Sequence, residues 1–263
     1  TFREKAHQEE RAVPQGFEKY GFNPLVQYPI IKTDQRNEKK QYVVPVLILL
    51  PHRVTDGIFL DLWDKYGSDF AQFFGKVFEK YLGLLLREYY DDDHLIREPV
   101  YGKDSKRGPD WIILEGNSAI IIECTINRLT KKIKSLGDFS ELQKKLQQKL
   151  VSCVEKYPQK IEDIKRGKTG TPNYDRITSF YPLIVVLDPL YGANSIIRDV
   201  INSELRKKGM NSFPYQILWI GELEDLCAFK ENERLSSLLD RKIRDFEKSD
   251  FHDFSIVYSR EKG

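Results

Sequence analysis

At 263 residues, with 31% charged and 12% aromatic side chains, the chain is long and apolar enough to bury a sizeable core, which excludes an intrinsically disordered protein. Its longest apolar stretch, Tyr42 to Pro51, is too short and too interrupted by proline to span a bilayer. The net charge of +2 conceals an uneven distribution, which bears on partners more than the total does.

Three widely spaced cysteines without a CxxC and four histidines without ligand spacing argue against a zinc site and a disulfide framework. An odd number of thiols and the lack of a signal peptide fit a reducing, cytoplasmic setting. The first residue is threonine rather than methionine, which leaves room for a longer natural chain. A further domain or a second copy of the chain would then be a partner.

The first 66 residues read as an irregular amino-terminal subdomain with two short strands, near residues 28–31 and 43–50, punctuated by prolines. From residue 67 to 263 the pattern is that of a core with a helical extension at its end. Phe70, Phe73, Phe74, Val77, Phe78, Tyr81, Leu82, Leu85 and Leu86 hold an unbroken helical period, with Ser68 or Asp69 as N-cap. Inside that helix Glu79 lies between Gly75 and Gly83. Each glycine costs about 1 kcal/mol in a helix, so their positions suggest close approach of backbone or ligand. An ion pair of Glu79 with Lys76 or Lys80 is the plainer reading of the same acid.

After an edge-like segment near residues 98–101 comes the stretch with most chemistry, GPDWIILEGNSAIIIECTINRL, Gly108 to Leu129. Gly116-Asn117 between two strand-like runs signals a two-residue hairpin turn. If Glu115 pairs with Ser118, then Leu114 faces Ala119, Ile112 faces Ile121, and Asp110 faces Glu123. Two carboxylates about 5 Å apart repel by roughly 3 kcal/mol at an effective dielectric of about 20. Either a shared proton or a divalent cation must offset this, and hard carboxylate oxygens favour the cation. Removing either acid is then expected to leave the metal-free protein no less stable.

Residues 128–168 contain twelve Lys or Arg against five Asp or Glu, directly after the acids. A solvated helix face and a phosphate-facing surface both fit, and the adjacent acids favour the second. Ser140 to Gln143 reads as a capping box, and an apolar face from Leu142 through Tyr157 carries a helix to an expected stop at Pro158. The cap explains Gln143, so Gln147, one turn later, is the candidate for reaching the site. Gly167 to Gly170, Gly-Lys-Thr-Gly, lacks the preceding glycine of a phosphate loop and reads as an ordinary basic turn. Ser179 to Asp188 reads as a strand buried on both faces, followed by a helix over about 194–208, a strand over 215–220 and a final helix over about 232–248. The order implies an α/β fold with a mixed central sheet flanked by helices.

Gly-Pro-Asp at the head of one strand and Glu at the end of the next, after a helix and before a basic helix, resemble the PD-(D/E)XK nuclease superfamily, the restriction-endonuclease-like fold. The likeness spans about residues 67–220. It implies a restriction-endonuclease-like core in which Asp110, Glu123, the backbone carbonyl of Cys124 and helix residue Glu79 hold Mg²⁺, with Mn²⁺ as substitute. It implies cleavage of DNA phosphodiesters, and a role as effector in a defence or restriction system. The chain departs from the family at Thr125, where the motif lysine stands. Thr125 shares a face with Glu123, so its position is catalytic or vacated. If the lysine has migrated, the basic helix is the nearest donor, and Lys145 and Lys149 are the expected pair. Arg128, Lys131, Lys132 and Lys144, with Gln147, are the expected nucleic-acid contacts. The rival reading is a nuclease-like module that binds nucleic acid or a protein without cutting.

Overall fold

The computed structural model describes residues 24–33, 41–126, 147–190, 194, 197–228 and 233–246. The described residues form two compact units, one ending at Phe73 and the other beginning at Phe74.

The first unit contains a short helix α1 (Pro24–Gln27), the antiparallel pair β1 (Ile31–Thr33) and β2 (Gln41–Val43), and a short helix α2 (Leu49–His52). A π-helical turn, Arg53–Gly57, leads from α2 into the long helix α3 (Ile58–Tyr89). The strand expected over residues 43–50 is thus confined to its first residue and gives way to helix, because a short apolar run fits either period. Phe59, with its ring 5.8 Å from that of Trp63 and 5.1 Å from that of Phe70, centres the packing of this part of α3. Gly67 breaks the helix with φ 54°, a conformation open to glycine, just before the expected N-cap.

The second unit is an α/β layer structure around a five-stranded mixed sheet. In chain order its strands begin with β3 (Leu95–Arg97), after which a small antiparallel pair, β4 (Val100–Tyr101) with β5 (Lys106–Arg107), stands apart from the sheet. The sheet continues with β6 (Trp111–Glu115), β7 (Ser118–Thr125), β8 (Ser179–Val186) and β9 (Gln216–Trp219), and its spatial order is β3-β6-β7-β8-β9. β3, β6 and β7 run antiparallel, whereas β7, β8 and β9 run parallel. The crossovers are helical: α4 (Ser152–Lys165), entered through a π-helical turn Gln147–Val151, joins β7 to β8, and α5 (Arg198–Lys207) joins β8 to β9. Helices α6 (Ile220–Ala228) and α7 (Leu235–Phe246) follow.

The hairpin turn sets the register as expected. Glu115 pairs with Ser118 and Trp111 with Ile122, and Gly116 takes φ 64°. Alternation then assigns the two faces. Trp111, Ile113, Glu115 and Cys124 share the face covered by the second half of α3 and by α7, while Ile112, Ile121, Glu123 and Thr125 face α4. Ile112, Ile113, Ile120, Ile121 and Ile122 are fully buried, each contributing about 1.5–3 kcal/mol, so both faces need cover.

Two expectations fail in this unit. α4 does not stop at Pro158 but runs through it to Lys165. Proline in a helix costs about 3 kcal/mol, and the burial of Tyr157, Lys160 and Ile164 on either side of it offsets that. Gly83 serves packing rather than a ligand near Glu79: a Cβ there would run into the Trp111 indole, while one at Gly75 would meet open space.

Candidate active site

The site grows from the start of β6 and the end of β7. Continuing the Trp111–Ile122 ladder one step places Asp110 opposite Glu123. The Cys124 backbone N–H donates to Asp110 Oδ2 at 2.7 Å, and the Glu98 N–H donates to the Asp110 carbonyl at 2.9 Å. Both the orientation of the acid and its backbone are therefore fixed by neighbouring strands.

Glu123 meets a partner that the sequence pattern did not suggest. Lys160, on the buried side of α4 and 8% exposed, forms an ion pair with Glu123 and donates to the Gly108 carbonyl at 2.9 Å. Burial and then the charge of Asp110 push the Glu123 carboxyl up from 4.5 to about 7, against the pull of Lys160 and Lys156. Asp110 thus pushes Glu123 up, as the hairpin register implies, Lys160 and Lys156 pull it down, and burial is the largest cause of the net rise.

Thr125 ends β7 opposite Val186, on the Glu123 face and partly buried. Lys149 is exposed, and its Nζ donates to the Ile126 carbonyl at 3.4 Å, a backbone contact just past the strand end. Lys160 of α4, and not Lys149 of the turn before it, is the lysine in contact with Glu123, and Cys153 and Lys156, ahead of Pro158, also lie within reach of its charge. Lys145, Lys144, Arg128, Lys131 and Lys132 lie outside the described residues, as does the side chain of Gln147, whose backbone opens the π-helical turn. Glu79 accepts from Arg97 Nη2 at 3.1 Å, so its ion pair is made with a strand residue and not with Lys76 or Lys80 along the helix. Arg97 pairs with Trp111 in the sheet, which puts this contact on the α3 face, where Glu79 lies close enough to Cys124 to push its thiol up, as Asp110 and Glu123 also do.

Neither nearby cysteine is a thiolate nucleophile at neutral pH. Burial, then the charge of Asp110, lifts the Cys124 thiol far above its usual range; burial, then Glu123, lifts that of Cys153 to about 11.

One turn beyond Lys160 a second buried acid shows the opposite electrostatics. Asp163 is 1% exposed and accepts from Tyr101 Oη at 2.9 Å, Gln159 Nε2 at 3.0 Å and Lys168 Nζ at 3.3 Å, besides an ion pair with Lys106. Burial raises its carboxyl, but these donors outweigh that and hold it well below the usual carboxylate range. Together they tie the β4–β5 hairpin, and with it the Gly108–Asp110 turn, to α4. Nothing in the local sequence pattern marks Asp163, whose partners come from three segments.

Among the described residues no three of His, Cys, Asp and Glu lie close enough together to hold a metal ion. The Asp110–Glu123 pair still suits Mg²⁺ chemically, because that ion is held through one or two carboxylates and completes its shell with water and substrate phosphate. Among the described residues no helix is long and apolar enough to cross a membrane.

No family model matches the chain, and a comparison with curated proteins finds no match. Among solved structures, the small subunit of the heterodimeric restriction endonuclease R.BspD6I is similar to it with a TM-score of 0.32 and 14% identity, over 70% of this chain and 88% of that one.

Proposed function

We propose that the protein is a Mg²⁺-dependent nuclease that hydrolyses phosphodiester bonds in DNA, with Mn²⁺ as substitute metal, and acts as an effector in a defence or restriction system. The observation that carries this reading is the buried Lys160 ammonium on Glu123, with Asp110 the next acid across the hairpin. Two acids and a lysine are the group set implied by the family resemblance, and Lys160 of α4 would stand in for the lysine missing at position 125. Asp110 and Glu123 would hold the cation, which supplies Lewis acidity and a more acidic bound water. Asp110 is oriented for this by the Cys124 amide. Lys160 is also tethered to the Gly108 carbonyl, so its charge would stay beside the pair if Glu123 took a cation, where it would stabilise a phosphate under attack.

A second reading rests on the same contact. Lys160 already neutralises Glu123, as it would in a module that binds nucleic acid without cutting it. Nicking of supercoiled plasmid separates the two. Wild type should cut with Mg²⁺ or Mn²⁺ and stop with EDTA, and Asp110→Asn, Glu123→Gln and Lys160→Met should each slow cutting by about a hundredfold or more while duplex binding persists. Wild type that binds duplex DNA and cuts it with neither metal sinks the nuclease and leaves the binding module.

A further inference from the structure

Asp163 gathers more positive charge than it can neutralise. Lys106, from β5, and Lys168, from the Gly-Lys-Thr-Gly turn after α4, both reach its carboxylate, yet their side chains stay 45% and 50% exposed. Among the described residues, two ammonium groups against one carboxylate leave a surplus of one positive charge facing water. Lys106 is further restrained, its Nζ lying 5.6 Å from the centre of the Tyr101 ring. A surface lysine ordinarily spends rotamer entropy when it binds an anion, and here a buried anchor has already restricted both. A simple structural tie between the hairpin and α4 would need one cation, with Tyr101 and Gln159 completing the carboxylate's partners.

The placement relative to the acids gives the surplus a use. β5 ends at Arg107 and the next residues are Gly108, Pro109 and Asp110, while Asp163 stands one helical turn past Lys160. The clamp therefore adjoins the site on the chain segments that build it. Lys106 lies outside the basic stretch 128–168 and Lys168 is its last residue; neither is among the residues named individually as nucleic-acid contacts.

We propose that Lys106 and Lys168, held by Asp163, form a phosphate clamp that binds the nucleic-acid backbone beside the phosphate presented to Asp110 and Glu123. The partner is a backbone phosphodiester rather than free phosphate, since both lysines are half exposed instead of enclosed and adjoin the acids along β5 and α4. The inference rests on the nucleic-acid reading of the site but not on cleavage.

Binding of a fluorescent DNA duplex, followed by anisotropy in EDTA at several salt concentrations, tests it without any cutting. The Lys106→Gln/Lys168→Gln double variant should bind more weakly, and its double-log salt dependence should be shallower by about 0.9 for each phosphate that is no longer neutralised. Lys106→Arg/Lys168→Arg should restore both. Asp163→Asn, which keeps the lysines and removes the anion, should bind at least as well as wild type even if its melting temperature falls. A double Gln variant that melts lower but keeps the wild-type salt slope makes the cluster a structural tie and overturns the proposal. So does a wild type that binds no duplex, or one whose duplex is displaced by inorganic phosphate at constant ionic strength no less readily than the variant's. A changed slope in a protein that never cuts keeps the clamp and removes the nuclease, and cutting with an unchanged slope does the reverse.

Discussion

The two ends of the β6–β7 hairpin each bury a glutamate, and they treat it in opposite ways. At the turn end Glu115 accepts from the Tyr90 hydroxyl at 2.7 Å and from the backbone N–H groups of Ser236 at 2.8 Å and Leu235 at 3.2 Å. Burial, then the charge of Glu115, keeps Tyr90 a protonated donor, and the two amides belong to the first turn of α7, where a negative charge is favoured. At the open end Glu123 faces Asp110 and, among the described residues, has one lysine in ion-pair contact, with its carboxyl pushed up to about 7. Burial alone therefore does not decide what a carboxylate does. The number of donors aimed at it does, and the under-supplied acid is the one free to take a new cationic partner.

The largest effect should come from the well-supplied end. Glu115→Ala leaves a buried hydroxyl and two helix amides without their acceptor, and should lower unfolding free energy by about 3–5 kcal/mol in denaturant melts. Tyr90→Phe removes one donor and should cost about 1 kcal/mol. Equal losses from both would mean that the Tyr90–Glu115 hydrogen bond, and not the two α7 amides, carries the carboxylate's contribution.

Glu123 should show the reverse sign. Its folded pKa, about 7, lies above its ordinary 4.5, so the folded protein binds the extra proton between those values. Stability contributed by this group is then present below pH 4.5, falls as the pH rises to about 7 and stays low above it. The shift corresponds to roughly 3 kcal/mol. Metal-free Glu123→Gln should abolish that fall, read as melting temperature against pH from 4.5 to 8. A wild type that gains stability over this range through Glu123 would contradict the comparison.

How far the sequence reached can be judged from single residues. The Gly116-Asn117 turn was sufficient to fix the register, because strand side chains alternate strictly and a two-residue loop admits few geometries. That makes the opposed Asp110 and Glu123 legible in the sequence. Lys160 escapes a sequence reading in which Pro158 ends its helix, because that boundary falls two residues short of the lysine. The signal was present: Tyr157, Lys160 and Ile164 continue one helical face across the proline. Arg97 and Asp163 were out of reach, since their partners lie 18 and up to 62 residues away and no local period encodes such pairs. Helix α6 was missed because it follows β9 without an intervening loop.

Asp110 sharpens the comparison at a smaller scale. The hairpin register alone suggests that deleting either acid relieves repulsion, but Asp110 Oδ2 is also the acceptor for the Cys124 amide. Asp110→Ala should thus lose about 1–3 kcal/mol for the orphaned N–H, set against the relieved repulsion. Asp110→Asn keeps an acceptor and removes the charge, so at pH 8 without metal it should melt at or above the wild-type temperature. An Asn variant as unstable as the Ala variant would assign the loss to the charge itself.

The smallest single effect is expected at Thr125. It shares the Glu123 face, but Lys160 already supplies a cation there, so Thr125→Lys in the wild-type background should change cleavage by no more than about threefold. The informative background is Lys160→Met. If the two positions deliver the same charge to the same phosphate, adding Thr125→Lys to Lys160→Met should recover about tenfold or more of the lost rate, a coupling that a cycle of the four proteins measures directly. Lys160 has a second duty, however, in joining Glu123 to the Gly108 carbonyl, and a lysine at 125 starts from the strand and not from α4. Rescue of cutting without rescue of melting temperature would separate the two duties, with charge as the catalytic one. Rescue of neither, in a double variant that still binds duplex DNA, would mean that Lys160 acts by holding the Gly108–Asp110 turn in place, and that position 125 has been vacated for good.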